Sequence, residues 1–268
     1  MTTDAGHTPY SLVLRLAGPL QSWGEHSRYN QRHTAAQPTK SGVVGLLAAA
    51  DGRERGSHLD DLTALHLGVR TDEPGTLLRD YHTVGDHTGE PLPSATLTAR
   101  GVQKHAILGG RKKFTHVTER FYLQDAVFVV ALSGPPQLLD RLRNALRHPA
   151  FPLALGRRSC PPTLPLILSP PTGTLWPGPL ATVLAVVPCQ RIQARNPAVD
   201  RPALPSRALP ITLDDPHGTD IRYDSPVTFA PKSRQFTARR VRHGWVTVPI
   251  PNDSAATAPP PDWFTLLD

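Results

Sequence analysis

The alternation of apolar and polar positions near the start of the chain predicts a buried strand over residues 10–16. Successive side chains of a strand point to opposite faces. One face would carry Tyr10, Leu12, Leu14 and Leu16, and the other would carry Ser11, Val13 and Arg15. The first face is expected to pack on a core and the second to meet a partner. A small-residue helix is predicted over residues 43–50, with Thr39 or Ser41 as its N-cap.

The elements that follow indicate the fold class. Two strands are predicted at 65–70 and 77–84, a central strand at 125–132, a helix at 137–148 and a short strand at 151–155. This order is a split βαβ arrangement, which predicts an α+β chain with a ferredoxin-like or RNA-recognition-motif core. The first and central strands lack the exposed aromatic residues typical of that motif, so the topology alone does not predict RNA binding.

Changes in composition divide the chain. Residues 1–156 are predicted to form the core, interrupted at about 85–118 by a basic, glycine- and threonine-rich insertion that is too polar to be buried. Prolines become frequent after Gly156, and residues 157–250 are predicted to form a smaller β-rich part with strands at 180–187 and 245–250. A proline-rich loop is expected at 196–216 and a flexible tail at 251–268.

The charge of the chain is positive. The formal net charge is +7, and 24 of the 29 basic residues are arginine. Arginine suits bidentate contacts with phosphate and stacking on bases, which favours a polyanionic partner, although a high-GC coding bias would enrich arginine in the same way. The two cysteines, Cys160 and Cys189, match neither a zinc site nor a disulfide framework, and no cofactor is expected.

The apolar segments are short. No stretch is long enough to cross a bilayer, and the first residues do not resemble a signal peptide. A cytoplasmic protein without membrane contact is therefore expected.

Two short segments are candidate anion sites. Lys40 and Ser41 lie at a predicted helix N-terminus, where unpaired N–H groups favour phosphate. A nucleotide-binding P-loop is excluded because Thr34 and Thr39 stand where that motif needs glycine. Arg157 and Arg158 occupy a glycine- and proline-flanked turn without a helical or core role, which favours contact with RNA.

Five separated segments resemble one known family. They are residues 14–24 (LRLAGPLQSWG), 38–42 (PTKSG), 78–84 (LRDYHTV), 155–161 (LGRRSCP) and 236–239 (FTAR). Their order and spacing are similar to those of the CasD subunit family of the type I-E CRISPR Cascade complex, and the resemblance spans roughly residues 10–250. It implies a modified RNA-recognition-motif fold of the repeat-associated RNA-binding superfamily, with the insertion as a thumb.

The resemblance implies a non-catalytic RNA-binding subunit. Such a subunit caps the 5′ handle of the CRISPR RNA, holds the Cascade backbone subunit with its thumb and contacts the large subunit, so that the assembled complex acts on double-stranded target DNA. A protein that binds one short RNA strand needs glycine turns that hold the RNA backbone, arginines that contact phosphates and planar groups that stack on bases. The candidate RNA-binding residues are Arg15, Gly18, Gln21, Trp23, Arg32, Lys40, Ser41, Tyr81, His82, Lys104, Arg111, Arg157 and Arg158.

The role of Trp23 and the function of the chain each have alternatives. Trp23 can stack on a base or fill the core beneath its loop. The chain can instead be a metal-free endoribonuclease that processes CRISPR precursor RNA, with Tyr81, His82 and Lys104 converging on the scissile phosphate. A purely structural adaptor that barely touches RNA is disfavoured by the basic charge.

Overall fold

A computed structural model describes residues 9–24, 31–84, 116–190, 206–231 and 233–250. Most of the predicted thumb, including Lys104 and Arg111, and the predicted tail at 251–268 lie outside these residues. Among the described residues, no helix has the length and apolar character that crossing a bilayer requires.

The described part of the chain contains eleven strands and four helices. The strands are β1 (Tyr10–Ala17), β2 (Leu20–Gln21), β3 (Gln31–Arg32), β4 (His66–Glu73), β5 (Thr76–Val84), β6 (His116–Gln124), β7 (Val127–Ser133), β8 (Trp176–Pro177), β9 (Ser206–Asp214), β10 (Asp220–Thr228) and β11 (Gln235–Pro249). The helices are α1 (Lys40–Ala50), α2 (Asp60–Thr63), α3 (Pro136–Arg147) and α4 (Leu180–Val186).

The larger sheet has the strand order β10-β11-β9-β4-β7-β1-β8. Its centre, β4-β7-β1-β8, is antiparallel throughout, and α1 and α3 connect its strands as expected for a split βαβ unit. The predicted α+β class is therefore confirmed, and this arrangement is compatible with the predicted ferredoxin-like core. Thr39 is the N-cap of α1, because its hydroxyl accepts a hydrogen bond of 3.2 Å from the N–H of Gly42.

Both faces of the central strands are covered. Leu12, Leu14 and Leu16 of β1 pack in the main core with Leu139 and Leu142 of α3. On the opposite face, the predicted partner surface is wrong for the middle of β1, since apolar residues of α4 cover it. The apolar cluster between β1, β7 and α4 contains Val13, Val129, Ala131, Val183 and Leu184.

The segment predicted as a strand at 180–187 is the helix α4. A seven-residue run that is apolar except for Thr182 has no period that separates helix from buried strand, so its sequence is ambiguous. A buried ion pair in β4 fixes this helix on the sheet. Arg70 donates to the carbonyl oxygens of Leu184 and Val187, and Asp72 accepts from the N–H of Gln190. The guanidinium thereby donates hydrogen bonds to carbonyl groups that have no partner within the helix at its C-terminal end.

Three further expectations differ from the structure. Residues 151–155 do not form a strand, and the sheet edge beside β1 is occupied by β8 and by a bridge between Leu14 and Ile167. Within the expected loop at 196–216, residues 206–214 form β9. Because β9 pairs with β4, the C-terminal strands extend the core sheet, and no sheet boundary lies at Gly156.

A second, four-stranded sheet carries the insertion. β5 and β6 form an antiparallel hairpin whose pairing runs from Thr76 and Gln124 to Val84 and His116. Residues 116–118, predicted to belong to the insertion, are the first residues of β6. β2 and β3 pair with β6. Residues 85–115 therefore connect the far ends of this hairpin.

Candidate RNA interface

The turn that carries the two arginines depends on Gly156. Its φ of +87° lies in the region that favours glycine, and an added Cβ would lie 1.8 Å from the carbonyl oxygen of Ser22. The turn is further held by hydrogen bonds from the N–H of Leu155 to the carbonyl of Cys160, 2.7 Å, and from the N–H of Ser22 to the carbonyl of Leu155, 3.1 Å. The two side chains that follow Gly156 are thus presented in a fixed place.

Arg157 joins this turn to the second sheet. Its guanidinium donates to the carbonyl oxygens of Phe121, at 3.2 Å, and Arg32, at 2.7 Å. It also lies 4.9 Å from the centre of the Tyr122 ring, which is a cation–π distance. The Arg158 side chain is exposed beside it. Arg157 is therefore a positioned cation, and Arg158 is an accessible one.

A groove runs along the same side of the hairpin. We call it the Arg120 groove; its volume is about 420 Å³, and its lining includes Leu78, His82, Arg120, Tyr122 and Ser159. These side chains meet because Leu78 lies opposite Tyr122, and Asp80 opposite Arg120, in the β5–β6 pairing. The groove is lined by three basic side chains, Arg79, His82 and Arg120, and by the buried Tyr122, and the Arg157 turn closes one side.

The Arg120 groove contains an acidic group as well. Asp80 lines it and lies 3.2 Å from Nε2 of His82. On the other face of β6, His33 stacks on Phe121 with ring centres 5.0 Å apart. The groove therefore offers exposed cationic side chains that can contact phosphate, whereas the exposed ring that can stack on a base, that of His33, packs on the opposite face of β6.

The predicted phosphate cradle at α1 is wrong. The ammonium of Lys40 pairs with the carboxylate of Asp214 at 3.0 Å, and the backbone N–H of Lys40 donates to Asp224 at 2.9 Å. A carboxylate of the protein therefore occupies the helix N-terminus where a phosphate was expected. The Ser41 hydroxyl is buried and lies 3.3 Å from that of Thr39.

Gln21 and Trp23 are fully buried. This burial conflicts with the prediction that these two residues contact RNA. The amide of Gln21 donates to the carbonyl oxygens of Leu16 and Ala126 and accepts from the Trp23 indole at 3.1 Å. Of the two alternatives for Trp23, the structure supports the core. Its ring lies so close to α1 that a Cβ at Gly42 would be 2.7 Å away.

Arg15 and Gly18 have internal contacts. The half-buried guanidinium of Arg15 donates to the side chain of Gln190 at 3.2 Å and to the carbonyl of Pro165 at 3.3 Å. Burial lowers the pKa of this guanidinium. A Cβ at Gly18 would lie 2.9 Å from the carbonyl oxygen of Pro161, so glycine there permits close packing. Both residues support the segment that follows the Arg157 turn.

The residues of the alternative nuclease hypothesis are only partly brought together. His82 lines the Arg120 groove, whereas its neighbour Tyr81 points to the opposite face of β5 and is exposed. Burial raises the pKa of the Cys160 thiol, which disfavours a nucleophilic thiolate. In the described ranges, no three His, Cys, Asp or Glu side chains are grouped to hold a metal ion.

Sequence reasoning missed Arg120 and Tyr122. Both lie on β6, in a region whose sequence suggests the end of the insertion and a loop. The available signal is an alternation in which Thr118, Arg120 and Tyr122 share one face, with Val117, Glu119 and Phe121 on the other. Apolar residues occur on both faces, so this pattern does not stand out as a strand.

Comparisons with known proteins agree on one family. The sequence profile of Cas_Cas5d, described as CRISPR-associated protein (Cas_Cas5), matches residues 11–242. The chain is 39% identical over 171 residues to the CRISPR system Cascade subunit CasD of Escherichia coli (strain K12), which covers 59% of this chain and 69% of that protein.

Solved structures are similar over nearly the whole length. A chain of a CRISPR RNA-guided surveillance complex has a TM-score of 0.68 at 33% identity, with 96% of this chain and 97% of that chain covered. A structure described as a Cas protein has a TM-score of 0.62 at 34% identity, with 90% and 98% covered. The resemblance found in the sequence motifs is thereby confirmed, and the chain belongs to the Cas5 family of CRISPR-associated proteins.

Proposed function

We propose that this chain is the subunit of a type I-E Cascade surveillance complex that binds the 5′ handle of the CRISPR RNA. The observation that carries the proposal is the Arg120 groove, where Arg120 and Tyr122 lie beside the fixed turn of Arg157 and Arg158. The Cascade subunit relative and the similar chain in an RNA-guided complex support it. The role is binding, without catalysis, in the cytoplasm.

Each part of this interface has a physical task. Arg120 and Arg158 are exposed and can each contribute about 1.5–3 kcal/mol through charge-assisted hydrogen bonds to phosphate. Arg157 holds the turn against β3 and β6, so it positions Arg158 as well as adding charge. The exposed ring of His33 can offer a planar surface to a splayed base. The buried ring of Tyr122 packs under the Arg157 guanidinium and helps to hold it in place.

The proposal extends to the partners of the chain. The insertion at 85–118 would hold the backbone subunit, and another surface would contact the large subunit. Target DNA would then be reached through the assembled complex. This agrees with a hairpin whose two strands lead directly into the insertion at Val84 and His116.

The test replaces the two accessible arginines and leaves Arg157 in place. We expect the double variant Arg120→Ala, Arg158→Ala to bind CRISPR RNA at least about tenfold more weakly at moderate salt. The matched control is Arg141→Ala, Arg147→Ala, which removes the same charge from exposed positions of α3. Equal affinities of the two double variants would remove the Arg120 groove from the RNA site.

The same samples test the processing alternative. Wild-type protein is incubated without divalent metal with end-labelled CRISPR repeat RNA and with mature guide RNA, and both are resolved on native and denaturing gels. Retention of intact RNA that depends on the 5′ handle is expected. A discrete cut within the repeat would instead identify an endoribonuclease and direct mutation to Tyr81, His82 and Lys104.

A further inference from the structure

A second groove lies between the segment that precedes α1 and the strands β4 and β9–β11. We call it the Trp245 groove; its volume is about 550 Å³, and its lining includes Gln37, Thr212, Arg222, His243 and Trp245. Trp245 is 72% exposed, and in the described ranges no ring or guanidinium stacks on its indole. A tryptophan this accessible offers a large planar surface to a ligand.

The polar residues of the Trp245 groove form one hydrogen-bonded chain. With its amide oxygen facing Arg222, Gln37 accepts from both terminal guanidinium nitrogens at 3.2 and 3.3 Å and donates to the hydroxyl of Thr212 at 3.1 Å. That hydroxyl lies 3.0 Å from Nδ1 of His243, whose Nε2 lies 3.0 Å from Asp220. These contacts orient the Arg222 guanidinium, which has more donors than the single Gln37 oxygen uses.

This combination matches the chemistry of a nucleotide. An exposed indole can stack on a base of any sequence, and an oriented guanidinium can bind the adjoining phosphate in a bidentate manner. The positive net charge of the chain also favours a polyanionic occupant. A single-stranded nucleic acid is therefore the occupant that these residues fit.

A short segment of the chain leads from the Arg157 turn to this groove. The Arg157 guanidinium holds the carbonyl of Arg32, and Gln37 follows five residues later as a wall of the Trp245 groove. Five residues of extended backbone span no more than about 18 Å. The wall of the Trp245 groove therefore lies within about 18 Å of the backbone that Arg157 holds, a distance that an RNA strand of a few nucleotides can span.

We propose that the Trp245 groove is a second subsite for the same RNA strand, in which a base stacks on Trp245 and its phosphate contacts Arg222. This inference rests on the proposed function and extends it from one groove to two. It assigns a nucleotide-binding role to the β9–β11 region, which the motifs of the sequence did not indicate.

The experiment measures binding of end-labelled CRISPR RNA to the full-length protein. Trp245→Ala should weaken binding at least about fivefold, because the variant loses the stacking of a base on an aromatic side chain. Trp245→Phe should retain most of the affinity. Tyr223→Ala is the matched control, because Tyr223 is 59% exposed and adjoins Arg222 but points to the other face of β10.

Two further readouts report the proposed contacts directly. RNA should quench the fluorescence of the wild-type protein more than that of Trp245→Phe. Arg222→Ala should reduce the slope of log affinity against log salt concentration by about one, whereas Trp245→Ala should leave this slope unchanged. A structural role of either side chain would not produce this pair of results.

The outcomes separate the two proposals. Normal RNA binding by Trp245→Ala, with a loss in Arg120→Ala, Arg158→Ala, would overturn the second subsite and leave the proposed function intact. Normal binding by both would reject both. A loss of co-purification with other complex subunits, without any loss of RNA affinity, would make the Trp245 groove a protein-docking surface and overturn the inference.

Discussion

Gly156 lies against the carbonyl group of Ser22 so closely that an added Cβ would be 1.8 Å from its oxygen. The contact joins the turn of Arg157 to the segment after β2. Two independent requirements therefore fix glycine at this position, the φ of +87° and the absence of space for any side chain.

Gly156→Ala should destabilise the fold by about 2 kcal/mol or more, since it adds a steric clash to a strained backbone conformation. Gly173→Ala is the control, because Gly173 has a φ of +80° but no atom within 4 Å of the position that an added Cβ would take. That variant should lose only about 1 kcal/mol from backbone strain. Urea unfolding of both measures the difference, and equal losses would show that the Ser22 contact is unimportant.

A prediction of stability against pH follows from the network at the start of α1. Burial alone would raise the pKa of Asp224, but hydrogen bonds and charge from Arg239 outweigh it and lower the pKa. Two of these bonds, from Nε and Nη2 of Arg239, measure 2.6 and 2.9 Å. A carboxylate whose folded pKa is depressed stabilises the fold above its unfolded pKa, and this contribution is lost as the pH falls through the folded pKa.

Asp224→Asn should therefore be clearly less stable than the wild type at pH 7, and the difference should shrink below about pH 4. Unfolding in urea across a pH series measures this. Asp220→Asn is the control, since Asp220 is an exposed partner of His243 and should cost little at pH 7. A stability difference for Asp224→Asn that stays constant down to about pH 2 would contradict the assigned role of its charge.

The buried ion pair in β4 gives a second stability prediction. Asp72→Ala leaves the fully buried Arg70 guanidinium without its carboxylate, so we expect a loss of about 3–5 kcal/mol. Arg207→Ala is the control, because it breaks a partly exposed pair with Glu73 and should cost only about 1 kcal/mol or less. Similar losses in urea unfolding would mean that the position of α4 does not depend on this pair.

The sequence predicts those helices and strands whose apolar residues recur with a clear helical or strand period. The leucine stripe of α3 and the alternation in β1 are sufficient to predict both elements. The sequence of α4 resembles a strand because its six apolar residues, interrupted only by Thr182, have no distinguishing period. The pairing of Lys40 with Asp214 joins residues 174 positions apart, and no local pattern signals it. The sequence around the N-terminus of α1 therefore resembles a phosphate site, although a distant carboxylate of the same chain occupies that position in the structure.

The last prediction concerns the insertion between β5 and β6. Deleting residues 91–113 should leave the unfolding midpoint nearly unchanged, because the β5–β6 pairing ends outside the deleted segment, at Val84 and His116. Co-purification with the backbone subunit should be strongly reduced, since the insertion is proposed to hold that subunit. An insertion of the same length in which the basic residues are replaced by serine serves as the control for chain length. Normal assembly of the deletion variant would show that the backbone subunit is held by another surface.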